Sequence, residues 1–243
     1  MDLAEMKESL AYACRVLAFA GQKDGVWGHV SLRLPEKDLF LMKPSGFGLE
    51  EITAADVITV NMDGQKVAGD RKIHSEVPIH SEILRARPDV NCVVHTHPMA
   101  AVVFSALGVP MLPLSSESCI FFEEMPVYSA TTDLIREKSR GQELAACLGS
   151  SRAVLLQNHG IATVGQTVGE AVMWALFLDK ACQTQLAALQ CGGPKIWATP
   201  DDARGRKLKH GGKPGDGRMD SAFDYYVRQV KLMESSLALR AKA

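Results

Sequence analysis

The sequence predicts an α/β fold in which helices pack on both faces of a central, mostly antiparallel sheet. Three observations predict it: helical periodicities alternate irregularly with short strand-like runs, tight hairpin turns join some of these runs, and no glycine-rich GxGxxG or GxxxxGKS phosphate loop follows any of them. Hydrophobic residues make up 47% of the 243 residues, which is enough for one large core. We therefore expect a single domain over residues 1–243 rather than a doubly wound parallel sheet.

The N-terminal part of the chain is predicted to be one helix followed by short strands. Apolar residues recur at spacings of three and four from Leu3 to Leu17, which predicts an amphipathic helix that stops near Gly21. The next apolar runs are short, alternate with polar residues or are bounded by Gly and Pro, and are typical of strands. These predicted strands cover residues 30–34, 39–42 and 57–60.

The rest of the chain alternates helices with buried strands. Ser75 is predicted to cap a helix that runs to about residue 85, with Pro78 tolerated in its first turn. Strands are predicted at 90–95, 153–156 and 161–164, and helices at 100–107, 135–148, 168–190 and 221–239. The segment 192–217 is rich in Gly, Pro and Lys, and we expect it to be a loop-rich or partly disordered stretch before the C-terminal helix.

Charge and cysteine content exclude several classes of protein. The formal net charge is −1, so no strongly basic face is expected and nucleic acid is not predicted as a partner. No apolar run is long enough to cross a membrane, and the first residues do not resemble a secretory signal. The six cysteines are scattered without a CxxC pair, which is typical of free buried thiols. We expect a cytoplasmic protein whose partner is a small-molecule substrate.

Three histidines lie where predicted strands end. His95 and His97 are two residues apart, so their side chains share one face of a strand. His159 lies in a predicted hairpin turn, again at a strand end. Three neutral imidazoles with coordination positions left over are typical of a catalytic metal site. The positions of these histidines therefore predict a bound divalent metal. Zinc fits three imidazoles, and manganese, iron or cobalt are also compatible.

Five short motifs, in order between about residues 5 and 190, make the chain resemble the class II aldolase/adducin family, which includes fuculose-phosphate aldolase. The motifs are Gly28-His29-Val30-Ser31, Lys43-Pro44-Ser45-Gly46, His74-Ser75-Glu76, His95-Thr96-His97-Pro98 and Gln157-Asn158-His159-Gly160. The resemblance implies one α/β domain and a C4-type homotetramer with active sites between subunits. By position it assigns His95, His97 and His159 as metal ligands. Glu76 matches the acidic residue that serves as a ligand or general base.

The chain departs from the sugar-phosphate pattern of that family at two positions. His29 replaces an Asn, and His74 replaces the first Ser of a Ser-Ser-Glu motif, whereas Ser45, Gly46 and Ser75 are retained. Hydroxyl and amide groups leave room for a tetrahedral phosphate, but two imidazoles fill space and offer flat, single-point donors. We expect these five residues to bind a substrate that carries a carboxylate or an aromatic hydroxy acid instead of a phosphate.

The resemblance implies a metal-dependent carbon–carbon lyase. A divalent cation stabilises the enolate left by either aldol cleavage or loss of CO₂. Because of His29 and His74, we favour decarboxylation of a hydroxy-aromatic or keto acid through a metal-bound enolate. Glu76 would transfer the proton, and Tyr128 is a candidate acid because a sugar-phosphate aldolase carries a tyrosine near that position.

Four alternatives remain open at this stage. The same scaffold supports reversible aldol cleavage of a hydroxy-carbonyl or sugar-phosphate substrate, epimerisation of a sugar phosphate, or iron-dependent oxygenation. A non-catalytic interaction module like the adducin head is the alternative of another class. Such a module would be free to lose the three histidines and Glu76, all of which this chain keeps.

Overall fold

A computed structural model describes residues 1–35 and 38–240, and these form a single α/β domain around one sheet. Within these residues the sheet has eight strands, in the spatial order β4-β3-β2-β1-β5-β8-β7-β6. The strands are β1 (His29–Arg33), β2 (Leu39–Met42), β3 (Ile58–Asn61), β4 (Lys66–Ala68), β5 (Cys92–Thr96), β6 (Val127–Tyr128), β7 (Ala153–Leu156) and β8 (Gly160–Gly165). Every neighbouring pair is antiparallel except the edge pair β6–β7, which confirms the predicted mostly antiparallel sheet.

Eight α-helices surround this sheet in the described part of the chain. They are α1 (Leu3–Leu17), α2 (Val77–Ala86), α3 (Met99–Ala106), α4 (Ser116–Ile120), α5 (Lys138–Leu148), α6 (Val168–Gln190), α7 (Pro200–Gly211) and α8 (Arg218–Arg240). None of the helices in residues 1–35 and 38–240 combines the length and apolar character that a membrane crossing requires.

The sheet is covered on both faces, as predicted. Side chains alternate across a strand, so the neighbours Val93 and Val94 of β5 enter different hydrophobic clusters. Val94 packs in the cluster that contains Leu10 of α1 and Leu178 of α6, whereas Val93 packs in the cluster that contains Ile79 of α2. The two clusters bury the sheet between helices and hold the strand ends in fixed positions.

Two helices, α2 and α5, begin later than the sequence predicts. Glu76, not Ser75, occupies the N-cap position of α2, and its side chain makes no capping hydrogen bond. Instead Glu76 Oε1 accepts a hydrogen bond of 2.9 Å from the backbone N–H of Ile135. Ile135 lies outside α5, which begins at Lys138 instead of residue 135.

The prediction of loop or disorder over 192–217 is wrong for residues 200–211, which form α7. The side chain of Thr199 caps this helix by accepting from the backbone N–H of Asp202, and Pro200 occupies its first turn. Asp201 and Asp202 carry negative charge at the positive end of the helix dipole. These start signals outweigh the Gly and Lys content on which the loop prediction depended.

Candidate metal centre

Strand pairing brings the two histidine segments together. In the β5–β8 pair, Thr96 lies opposite Ile161, so the end of β5 lies beside the turn that carries His159. Asn158 enters this turn with a φ of 58°, a left-handed conformation that Asn tolerates better than most residues. Gly160 follows because a Cβ there would lie 2.5 Å from the Thr96 carbonyl oxygen. The local sequence thus allows the turn to approach the strand closely.

Glu76, His95, His97 and His159 converge as a group with metal-ligand spacing, with one ligand atom of each within 4.8 Å of the others. The Nε2 atoms of His95 and His97 lie 3.0 Å apart. Glu76 stands slightly further back, 3.6 Å from His159 Nε2 and 3.9 Å from His95 Nε2. The four residues predicted as ligands and catalytic acid therefore surround one point.

The hydrogen bonds behind these rings test whether the group fits a cation. His95 Nδ1 lies 2.8 Å from the Ile161 carbonyl and His97 Nδ1 lies 3.1 Å from the Asp24 carboxylate, so both Nδ1 atoms act as donors. The two Nε2 atoms of these neutral rings then face each other as lone pairs and cannot hydrogen-bond. Their separation is close to the roughly 3.3 Å expected for two imidazoles on one tetrahedral zinc. Among the residues that the structure describes, His159 Nε2 is buried without a hydrogen-bond partner. The donor set fits a divalent cation.

Burial keeps the cluster in the protonation states that a metal site needs. Desolvation lowers the pKa of His95 well below its usual value and lowers the pKa of His159 to about 4, with repulsion from His97 as a further cause for both residues. These rings are therefore neutral near pH 7 and have lone pairs for a cation. Burial raises the pKa of Glu76, opposed by the hydrogen bond from Ile135. A carboxyl group with a raised pKa is suited to proton transfer.

The predicted substrate residues divide between a cavity and the layer behind it. His74, Ser75 and Ser45 line a cavity of about 440 Å³ beside the metal centre. His29 is fully buried and lies behind it, with its ring centroid 4.1 Å from that of His74. Gly46 is absent from the cavity lining among the described residues, and its φ of 87° shapes the turn next to Ser45. His29 therefore lies next to the buried side chains of the site rather than in the wall of the cavity.

Several lining residues were not predicted from the sequence as site residues. They are Asp24, Val26, Trp27, Thr132, Leu134, Arg136 and Asn158. Trp27 precedes the first motif and Asn158 lies inside the last one, so their positions in the sequence could have indicated them. Thr132, Leu134 and Arg136 come from an irregular segment that no motif marks, and only the fold brings them to the cavity.

The structure does not bring Tyr128 to this group. The Tyr128 hydroxyl donates a hydrogen bond of 2.9 Å to the Glu143 carboxylate, and the side chain packs in the α2–α5 side of the core. Desolvation raises the pKa of Tyr128. Within residues 1–35 and 38–240 of one chain, Tyr128 is absent from the cavity lining, so its geometry gives it a packing role.

Comparison with solved structures gives the same architecture. The chain is similar to L-fuculose 1-phosphate aldolase from Glaciozyma antarctica PI12, with a TM-score of 0.83 and 31% identity over 96% of this chain and 91% of the other. That likeness confirms the predicted fold class.

Relatives of known name include both decarboxylases and an oxygenase. The chain is 37% identical to decarboxylase NovR of Streptomyces niveus over 79% of its own length and 73% of the relative's. It is 38% identical to the 4-hydroxy-3-prenylphenylpyruvate oxygenase/4-hydroxy-3-prenylbenzoate synthase of Streptomyces roseochromogenus subsp. oscitans, with coverages of 78% and 70%. A 3,4-dihydroxyphthalate decarboxylase of Arthrobacter keyseri is 34% identical, with coverages of 78% and 81%.

These similarities confirm the prediction of a metal-dependent lyase, because decarboxylases and aldolases are both lyases and the metal-ligand group is present. A model of the Class II Aldolase and Adducin N-terminal domain matches residues 8–186, which is most of the chain. The protein is a member of the class II aldolase/adducin family.

Proposed function

We propose that this protein is a decarboxylase of a hydroxy-aromatic or keto acid and uses a divalent metal held by His95, His97 and His159. The observation that carries this proposal is the position of His74, an imidazole in the cavity wall where sugar-phosphate members carry a Ser. Its Nδ1 is buried and has no hydrogen-bond partner in the structure. A planar acid with several oxygens would supply that partner more readily than a tetrahedral phosphate.

The other cavity residues support a substrate that is both anionic and planar. Arg136 offers a guanidinium group, which pairs with a carboxylate through two parallel hydrogen bonds. Trp27 and Leu134 offer apolar surface on which an aromatic ring can lie. Ser45 and Ser75 add hydroxyl groups that can hydrogen-bond ring hydroxyls.

Each residue of the site has a defined task in this reaction. The divalent cation supplies Lewis-acid stabilisation of negative charge on substrate oxygens. When the carboxylate leaves as CO₂, the bonding electron pair stays on the substrate carbon, and that carbon takes a proton. Glu76 is the group that delivers the proton, because its carboxyl group is buried beside the ligands. Arg136 and His74 orient the acid so that the breaking bond faces Glu76.

Zinc is the metal that we propose for the site. Three imidazole ligands leave a fourth position of a tetrahedral site for Glu76 or the substrate, which is typical of catalytic zinc. The Glu76 oxygens lie 3.6 Å from His159 Nε2 and 3.9 Å from His95 Nε2. Manganese, iron and cobalt also accept imidazole ligands, so metal analysis decides among them.

Aldol cleavage is the second candidate, favoured by one observation. Ser45 and Ser75 of the phosphate-binding pattern are retained and line the cavity. A fuculose 1-phosphate aldolase is also among the similar structures. The two reactions differ in product, since only decarboxylation releases CO₂.

The test combines metal analysis with a substrate screen. The purified full-length protein would be assayed for CO₂ release from 3,4-dihydroxyphthalate and other ortho-hydroxy aromatic acids, and for cleavage of fuculose 1-phosphate. We expect CO₂ release that is abolished in His95→Ala and unchanged in the variant of the exposed His210, His210→Ala. Efficient cleavage of the sugar phosphate without CO₂ release would replace our proposal with the aldolase.

We further propose a homotetramer and a cytoplasmic location. Met99, Val103, Leu107 and Leu189 are exposed apolar residues along one groove between α3 and α6, which supports contact with a second copy of the chain. Six free cysteines, four of them buried, support a reducing compartment. Light scattering of the purified protein would give the number of subunits.

A further inference from the structure

A chain of three buried polar side chains lies behind the Glu76 carboxylate. Ser31 Oγ is 2.6 Å from His80 Nδ1, and His80 Nε2 is 2.6 Å from His29 Nδ1. The other ring nitrogen of His29, Nε2, faces Glu76 Oε2 across 3.9 Å and makes no hydrogen bond within the described part of the chain. Ser31, His80 and His29 have no solvent exposure. The chain thus connects the interior of the sheet to the catalytic carboxylate.

Hydrogen bonding fixes the direction in which this chain runs. Neutral imidazole has one N–H and one lone pair, so the chain has two possible directions. In one, Ser31 donates to His80 Nδ1, His80 Nε2–H donates to His29 Nδ1, and His29 carries its own proton on Nε2. In the other, His80 Nδ1–H donates to Ser31, and the Ser31 hydroxyl proton needs a different acceptor.

No second acceptor for the Ser31 hydroxyl exists among residues 1–35 and 38–240, where its one side-chain hydrogen-bond partner is His80. In the second direction the buried Ser31 hydroxyl proton has no acceptor, which makes this direction less populated than the first by about tenfold or more. The first direction satisfies Ser31 and both nitrogens of His80. Ser31 and His80 therefore determine which nitrogen of His29 carries the proton.

We propose that Ser31 and His80 are positioning residues that hold His29 with its proton on Nε2, so that this N–H is directed at Glu76 Oε2 across 3.9 Å. The part that concerns proton transfer rests on the proposed function of Glu76. At this distance the N–H dipole stabilises the ionised carboxylate electrostatically after it has given up its proton.

This assignment has a second consequence, which concerns the number of metal ions. His29, His74 and Glu76 also have ligand atoms within 4.8 Å of one another, a spacing that a second cation could use. A protonated Nε2 has no lone pair, so His29 could bind a metal through Nε2 only after the hydrogen-bond chain had reversed its direction. We therefore expect one divalent cation per chain, at the His95 group.

The direct test is the side-chain ¹⁵N NMR spectrum of histidine in the zinc-loaded full-length protein. The signals of His29 would be assigned by their loss in His29→Gln. We expect Nε2 of His29 to be protonated and Nδ1 to be unprotonated, with one zinc per chain by elemental analysis. An unprotonated Nε2, or two zinc ions per chain, would overturn the proposal. Neither measurement needs turnover, so it is independent of whether the protein is a decarboxylase.

Variants of Ser31 test whether its hydroxyl group determines which nitrogen of His29 carries the proton. In Ser31→Ala, His80 Nδ1 loses its donor, and we expect the His29 proton to distribute over both nitrogens. On the substrate that the screen identifies, we expect kcat to fall about twofold with little change in KM, because about half of the molecules then keep the His29 N–H directed at Glu76. Ser31→Thr keeps the hydroxyl and should restore both readouts. A lower melting temperature in Ser31→Ala with an unchanged His29 proton position would contradict the proposal. If Ser31→Ala does not fold, the wild-type spectrum still decides.

Discussion

Gly160 lies directly against His97: a Cβ at position 160 would lie 2.7 Å from the His97 ring carbon Cδ2 and 2.5 Å from the Thr96 carbonyl oxygen. Real Cβ atoms do not approach backbone this closely, so any larger residue must move the β5 end or the ring. This contact connects a residue without a side chain to the position of a metal ligand.

Gly160→Ala should therefore lower metal affinity. We expect the displaced His97 ring to weaken zinc binding by at least about tenfold, the lower range seen when ligand support is lost. Competition with a chelator would measure it. Gly205→Ala is the matched control, since a Cβ there meets nothing within 4 Å in α7 and should stabilise that helix by about 0.5–1 kcal/mol. Wild-type zinc affinity in Gly160→Ala would show that the turn yields without moving His97.

Removing a ligand should empty the site. His159 Nε2 is buried and lacks a hydrogen-bond partner, so His159→Ala removes a lone pair whose one fitting partner is the cation. We expect zinc content after dialysis to fall far below one per chain, measured by elemental analysis. His210→Ala, at an exposed position of α7, should retain full zinc content. Full occupancy in His159→Ala would remove His159 from the ligand set.

Asp24 should support the metal through His97. Its carboxylate accepts from His97 Nδ1 at 3.1 Å, which fixes the ring orientation and increases the basicity of Nε2. Asp24→Ala should weaken zinc binding by roughly 10–100-fold in a chelator competition, with a melting temperature near that of wild type. The exposed Asp70, changed to Ala, provides the comparison. Equal affinities in the two variants would mean that His97 holds its orientation without Asp24.

Glu76→Gln separates proton transfer from metal binding. The amide oxygen can still accept the hydrogen bond from Ile135, so the fold should persist. Because the amide cannot exchange a proton, we expect turnover to fall by about 10²–10⁴-fold, the range for loss of a general acid or base. Zinc content should remain near one per chain. A loss of zinc together with activity would make Glu76 a ligand in the resting protein.

Tyr128→Phe tests the tyrosine acid expected from the sequence. The Tyr128 hydroxyl donates a hydrogen bond of 2.9 Å to Glu143. Removing it should lower the free energy of unfolding by about 1 kcal/mol or less and leave kcat near the wild-type value. Denaturant unfolding and steady-state kinetics would measure the two effects. A large fall in kcat with unchanged stability would restore the catalytic role.

The three histidines of the metal centre can be predicted from the sequence because their positions within or at the ends of strands indicate that they meet. His95 and His97 share a face through the period of the strand, and His159 lies at a strand end that antiparallel pairing returns to the same place. The contact between Asp24 and His97 has no such signal, since 73 residues separate them and only the fold brings them together. The same holds for Ser31 and His80, which are 49 residues apart in the sequence and belong to different elements.

The misplaced elements have identifiable causes. Helix α7 was missed because composition was given more weight than the capping signal at Thr199, although the Thr-Pro-Asp-Asp start was visible. The start of α2 was placed one residue early because Ser75 is a better cap than Glu76 by propensity. Tertiary contact with Ile135 determines the outcome instead.

Two lone pairs facing each other at 3.0 Å, on His95 and His97, raise the energy of the protein whenever no cation separates them. Capture of the ion removes that repulsion, so loading and folding are thermodynamically coupled. A cell that runs short of the metal would lose more than turnover. The chain itself would become less resistant to unfolding and proteolysis, so its abundance would follow the supply of the ion.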